Sequence, residues 1–286
     1  VSEGGVAGLV RLFDVESVGP RRYVGHHDAG ERAVVDGSQV LAQSIVAATK
    51  AVEGKVLRSA HALFLSPVAA AAPIELEVQV VRDGRTFAGA RVLGTQGGAA
   101  RVEVLALLDV PQPDVVRRSA PPPPTPGPDA AIPGHLPFAG RDLRLVDCED
   151  PNDPDHVGPP VLDAWLRYDD PPARDDLVRA LLAHFTGHLS LSTTMRPHAG
   201  LGTALSHDAL STGVMSITVA FHEPVSAAGW LLYHHESTQV GAGLSYVRGQ
   251  VFAEEGALVA SFAQEGLLRA FVPDAGAEAI PAEARL

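Results

Sequence analysis

Lysine is almost missing from this 286-residue chain: of its 22 basic residues, only Lys50 and Lys55 are lysines. Positive charge therefore rests on arginine, whose planar fork suits paired binding of phosphate or carboxylate. Cysteine is reduced to Cys148, which excludes an intrachain disulfide and any zinc cage built from cysteines. No apolar run approaches the roughly 18 residues that a membrane helix needs, so no membrane partner is expected. No charged-then-apolar leader opens the sequence at Val1, and the expected compartment is a reducing cytoplasm. Thirty-four acids against 22 bases leave a net charge of −12, which repels a phosphate backbone and argues against nucleic acid as a partner. What the chain does have is 46 % hydrophobic residues over a length worth about two domains at roughly 150 residues each, too apolar for disorder.

Proline marks the boundary between the halves. The run Pro121-Pro122-Pro123-Pro124-Thr125-Pro126-Gly127-Pro128 is neither helix nor central strand, because proline lacks the N–H and fixes φ. Residues 111–140 read as an extended linker between a unit at 8–110 and a unit at 141–270, followed by a tail at 271–286. In the first unit a helix over Ser38 to Val52, entered through Asp36-Gly37, precedes strands at Leu57 to Leu65, Ile74 to Arg82, Thr86 to Gly94 and Ala100 to Val110. The second repeats this order with a helix over Asp175 to His188 and strands near Val214 to Phe221, Trp230 to Glu236, Leu244 to Phe252 and Leu258 to Leu268. Phe64 and Phe221, Pro67 and Pro224, Val68 and Val225, Ser59 and Ser216, and Arg91 and Arg248 are identical pairs at one offset, 157 positions, which argues for duplication. The predicted class is α+β: two antiparallel sheets, each wrapped on its own helix, paired edge to edge as a pseudo-dimer with any ligand site between the halves.

The second half carries Phe221-His222-Glu223-Pro224, Trp230-Leu231-Leu232-Tyr233, Glu236-Ser237-Thr238, Val247-Arg248-Gly249 and Gln264-Glu265-Gly266. The first half carries Gly37-Ser38-Gln39-Val40, Phe64-Leu65-Ser66-Pro67 and Val81-Arg82-Asp83-Gly84 followed by Phe87. In this order and spacing the set resembles the acyl-CoA thioesterase II family, the bacterial and peroxisomal double-hotdog thioesterases. The resemblance spans the chain outside the linker and the segment from Asp147 to Pro160. It implies a double hotdog that hydrolyses fatty acyl-CoA to free acid and CoA, without a cofactor or metal, through a water held by an Asp, a Thr or Ser, and a Gln. Thr238 and Gln264 stand at the last two positions. Ser216 stands where the family has its Asp, so activity is expected to be reduced, and an acyl-CoA binding or sensing protein that does not hydrolyse is the alternative.

The chemistry needs an attacking water, an acceptor for its proton, and donors where negative charge develops on the carbonyl oxygen. Thr238 and Gln264 both accept and donate, but neither is a base. They are expected on neighbouring strands, within one water of each other, near the start of one helix. Asp208, Glu236, Glu265 and Asp36 are the candidate carboxylates; Glu236 and Glu265, adjacent to the proposed pair, should point to the opposite sheet face. Arg91 and Arg248, with Arg58, Arg82 and Arg85, are the expected contacts for the phosphates of CoA. His184 and His188 have the four-residue spacing of two helical ligands but no third partner, and His26-His27 and His234-His235 alternate across strand faces, so no metal site is expected. No Gly-x-Ser-x-Gly elbow occurs to support a Ser-His-Asp hydrolase, and Pro154-Asp155-His156 does not match the Asp and His arrangement of a hotdog hydratase. A homo-oligomer of double-hotdog units is the expected assembly.

Overall fold

The computed structural model describes residues 5–28, 33–135, 140–206, 209–224 and 226–270; the tail at 271–286, Asp208 and Val225 lie outside them. The first unit opens with helix α1 (Gly5–Phe13), whose Val6, Leu9 and Phe13 recur at helical spacing and are buried. Two short strands follow, β1 (Glu16–Gly19) and β2 (Arg22–Gly25). Helix α2 (Gly37–Ala51) starts where Asp36, in an extended conformation, accepts from the Ser38 N–H and hydroxyl at 3.2 and 2.9 Å. Every residue of α2 from Ser38 to Ala48 is buried, because its small side chains let the sheet and a second helix close around it. Strands β3 (Val56–Phe64), β4 (Ile74–Asp83), β5 (Phe87–Gln96) and β6 (Ala99–Asp109) complete the unit.

The second unit runs β7 (Ile132–Pro133), β8 (Arg141–Leu145), β9 (Val161–Tyr168), α3 (Asp175–Thr186), α4 (Ser190–Met195), β10 (Leu210–Phe221), β11 (Leu231–Gly241), β12 (Leu244–Ala253) and β13 (Leu258–Ala270). All thirteen strands join one sheet in the order β1-β2-β4-β5-β6-β3-β10-β13-β12-β11-β9-β8-β7, antiparallel throughout. Reading outward from the central β3–β10 pair gives β6, β5, β4, β2 on one side and β13, β12, β11, β9 on the other. This is the double hotdog: β4 and β5 begin at Ile74 and Phe87, and β11 and β12 begin at Leu231 and Leu244, both at the 157-residue offset.

Irregularities repeat too. The ladder skips one residue at Arg58 in β3 and at Met215 in β10, and again at Val81 in β4 and at Thr238 in β11. Each pair lies at the same offset, so the bulges belong to the repeated unit. The copies part company after the helix. Four residues join α2 to β3, whereas Gly187 to Ala209 join α3 to β10, and this longer connection carries α4.

The proline-rich connection is not extended throughout, since a 3-10 turn (Pro128–Ala130) and β7 lie within it. It is strapped to the outer face of the second unit. Thr125 donates to Asp163 (2.9 Å), Trp165 Nε1 donates to the Pro126 carbonyl (2.8 Å), and Arg117 pairs with Glu223 (2.6 Å). Ala131, Val146, Trp165, Trp230, Leu232 and Phe252 form a small apolar cluster separate from the main core.

Candidate active site

Strand pairing fixes which side chains share the inner face, under the helices. Along β13, Phe262, Gln264 and Gly266 point inward and are buried. Gln264 faces Ile217 on β10 and Val247 on β12, and Val247 faces Ser237 on β11. The inner row through Gln264 therefore reads Ile217, Gln264, Val247, Ser237. Gln264 is 2 % exposed, and neither end of its amide has a hydrogen-bond partner among the described residues.

The start of α2 and the end of α3 meet over this row. A Cβ placed on Gly187, the residue that ends α3, would lie 2.8 Å from Ser38 Oγ and 3.4 Å from the Ile217 side chain. No larger residue fits there, and α2 presents its electropositive end beside Ile217. Helix α4 roofs the far side: Thr194 Oγ1 lies 3.1 Å from Ser237 Oγ, and the Leu191 side chain comes within 3.0 Å of a Cβ placed on Gly266. Gly187, His188, Leu191 and Ser192 also wall an open cleft of about 550 Å³ that reaches Leu143 and Leu145 on β8. Leu177, Leu181 and Phe185 are fully packed core rather than cleft wall.

Several expected site residues stand elsewhere. Thr238 and Gln264 are not on neighbouring strands, because β12 separates β11 from β13. Thr238 is the exposed bulge residue of β11, and its hydroxyl reaches the Tyr246 carbonyl at 3.4 Å. Ser216 faces away from the row. It pairs with Glu265 and Leu63, both on the outer face, and donates to the Glu265 carboxylate at 2.6 Å. The bulge at Met215 sets this orientation, since an extra residue shifts every side chain after it to the other face. Arg91 and Arg248 also point outward, paired with Glu103 (2.6 Å) and Glu236 (2.7 Å). Of the candidate carboxylates, Glu236 and Glu265 point outward, Asp36 caps α2, and Asp208 is outside the described residues.

The histidines divide by face. His234 points outward to Asp163 at 2.6 Å, whereas His235 points inward, fully buried. His184 and His188 are in edge contact, ring centroids 4.8 Å apart, and burial holds His184 well below the usual imidazole pKa. Among the described residues no three His, Cys, Asp or Glu side chains gather to hold a metal, and no helix is long and apolar enough to cross a membrane.

Residues 27–109 match the model of the acyl-CoA thioesterase N-terminal domain and residues 113–268 that of the acyl-CoA thioesterase C-terminal domain. The chain belongs to the acyl-CoA thioesterase family, and it carries both of the family's domains. Acyl-CoA thioesterase 2 of Haemophilus influenzae is 27 % identical over 280 residues, covering 91 % of this chain and 96 % of that protein. Acyl-coenzyme A thioesterase 8 of Mus musculus is 24 % identical over 260 residues, covering 82 % and 79 %. Among solved structures, an acyl-CoA thioesterase II from Mycobacterium marinum superimposes with a TM-score of 0.78 at 26 % identity, covering 92 % of this chain and 98 % of that one. This acyl-CoA thioesterase is thus a thioester hydrolase built on the double hotdog.

Proposed function

We propose that this thioesterase hydrolyses fatty acyl-CoA to free acid and CoA at the inner-face row centred on Gln264. The observation that carries this reading is the Gln264 amide, buried with both polar ends unpartnered beside the start of α2. Burying an unpaired amide costs about 1–3 kcal/mol, so its value lies in what it binds. Its carbonyl accepts from an attacking water while its NH2 holds that water in line with the thioester carbonyl. The N-terminus of α2 stabilises the charge that develops on the carbonyl oxygen. The acyl chain lies in the cleft beyond Leu191, along Leu143 and Leu145.

Thr238, at the rim of the same unit, is positioned to hold the thioester's approach rather than the water at Gln264. The outward, ion-paired Arg91 and Arg248 would reach CoA phosphates only by leaving Glu103 and Glu236. That substrate class places the enzyme in fatty acid metabolism, and its single cysteine, Cys148, is compatible with a reducing cytoplasm. The test is thiol release from a panel of acyl-CoAs of increasing chain length, with binding measured in parallel. Turnover that Gln264→Ala lowers supports the site; binding without turnover in the wild type overturns it in favour of an acyl-CoA binding protein.

A further inference from the structure

The duplication supplies its own control, because inner-face positions of the second unit have counterparts in the first. Gln264 corresponds to Ala106, which faces Ala60 and Ala90 just as Gln264 faces Ile217 and Val247. His235 and Ser237 on β11 correspond to Val78 and Val80 on β4. The next inward position of β13 after Gln264 is Gly266, and its counterpart on β6 is Leu108. Leu108 faces Leu57 and Ala88, as Gly266 faces Val214 and Ser245.

Leu108 is fully buried, so in the first unit the strand's own side chain fills this place. In the second unit β13 leaves it free, and another element enters. A Cβ on Gly266 would meet Ser245 Oγ at 2.5 Å and the Leu191 side chain at 3.0 Å. Leu191 belongs to α4, in the long connection between α3 and β10 that has only four residues as its counterpart in the first unit. A leucine fixed to a strand in one copy is thus replaced in the other by a leucine from an inserted helix.

The two leucines differ in what holds them. Leu108 is anchored by ladder pairing on both sides. Helix α4 has six residues, too few to sustain itself, and it starts from Leu189 in the left-handed conformation (φ 64°), which a leucine keeps only when its surroundings hold it there. Leu189 packs against the main core, whereas Leu191 is half-buried and lines the open cleft. Leu191 therefore stands between two spaces. On one side the cleft runs to Leu143 and Leu145; on the other lies Gln264, 2 % exposed and one inward position from Gly266. Gly187, the cleft wall on the Ile217 side, has no side chain to move.

We propose that Leu191 selects the acyl chain by length, as a movable stopper between Gln264 and the cleft. The inference rests on the hydrolytic reading above and deepens it. With the thioester carbonyl at Gln264, the acyl chain runs past Gly266 toward the cleft. A strand rises about 3.4 Å per residue, so Leu191 meets the chain about 7 Å from Gln264, a span of about six carbons of an extended acyl group. Shorter acyl groups end before Leu191 and react with it in place. Longer ones displace it, and contact with Leu143, Leu145 and Leu189 in the cleft offsets the displacement.

The experiment compares wild type, Leu191→Ala, Leu191→Phe and Gln264→Ala in thiol release from butyryl-CoA and dodecanoyl-CoA, with folding checked by circular dichroism and binding of both acyl-CoAs measured by calorimetry. The quantity read is the dodecanoyl-to-butyryl ratio of kcat/KM. Leu191→Ala is expected to raise this ratio about tenfold by opening the passage, and Leu191→Phe to lower it about tenfold by closing it, while butyryl-CoA turnover changes little. Gln264→Ala should slow both substrates alike and leave the ratio where it is. A ratio that stays within about twofold of wild type in both Leu191 variants, or moves in the opposite direction in either, overturns the assignment while leaving hydrolysis at Gln264 intact. If the phenylalanine variant does not fold, the alanine variant decides by the same limits. A wild type that releases no thiol from either substrate overturns the hydrolytic reading, and the same ratio taken from the Kd values then decides whether Leu191 selects chain length in a protein that only binds.

Discussion

His61 Nδ1 and Thr218 Oγ1 lie 2.7 Å apart across the β3–β10 pair, and they are the same position in the two copies, 157 residues apart. In an antiparallel pair a position faces its own counterpart only on a twofold axis, so this contact marks the pseudo-dyad that joins the units. The pair is exposed and contributes little to stability; the seam depends on the ladder and the inner face. His61→Val should change stability by less than about 1 kcal/mol. Val219→Asp, opposite Ala60 on the fully buried side of the same seam, should unfold the protein cooperatively at far lower temperature. Thermal denaturation of both variants checks the contrast, and equal melting shifts would contradict it.

Gln264→Leu should raise stability while lowering kcat about 100-fold to 1,000-fold, because the unpaired amide is removed from the core together with the group that holds the water. The reverse substitution in the other copy, Ala106→Gln, should cost about 1–3 kcal/mol and create no activity, since Val78 and Val80 surround it instead of His235 and Ser237. Chemical denaturation and thiol release on the two variants decide it. A stability loss for Gln264→Leu would mean that the amide has a structural partner.

An aspartate at Ser216 is the repair that the family pattern suggests, and the structure predicts that it fails. Ser216 donates to Glu265 at 2.6 Å on the outer face, so Ser216→Asp sets two carboxylates against each other, on the opposite face of the sheet from Gln264. The like charge raises both pKa values in the fold. A raised folded pKa gives stability that is present at low pH and lost as pH rises through it, so the variant should lose stability between about pH 4 and 7. Its rate on acyl-CoA should not exceed that of wild type. A tenfold gain in kcat would show that the β10 bulge shifts to turn this position inward.

Much of this arrangement was readable from residue order. The β4, β5, β11 and β12 starts follow alternation and the 157-residue offset, and the helix at Gly37 follows from Asp36-Gly37-Ser38. Bulges were not readable, because a skipped residue leaves no mark on composition and yet reverses every side chain beyond it. That is why Ser216 reads as a site residue in sequence and faces Glu265 in the fold. Nor was β12's place between Thr238 and Gln264 legible, since strand order is set by pairing rather than by proximity in sequence. The six-residue α4 has too few turns for a periodic signal. His235 was not singled out, because His234-His235 reads as two histidines alternating across the strand faces, and nothing in the sequence says which face is buried.

The buried histidines also set how the protein responds to acid. Burial lowers both His235 and His27 from about 6.5 to about 4, and holds His184 well below the ordinary imidazole value. A histidine whose folded pKa is depressed gives stability that is complete above its unfolded pKa. Below pH 6.5 the unfolded chain takes up protons that the folded chain refuses, and stability falls until the folded pKa is reached. For His235 alone the loss reaches about 2 kcal/mol by pH 5, since each pKa unit is worth about 1.4 kcal/mol. His235→Val should therefore be at least as stable as wild type at pH 7.5 and more stable than it by about 2 kcal/mol at pH 5. Taking the difference between the two proteins at each pH cancels the titration of the carboxylates and of His27 and His184, which both share. Urea denaturation at the two pH values measures it, and a difference that does not grow on acidification would mean that His235 titrates in the fold as it does in the unfolded chain.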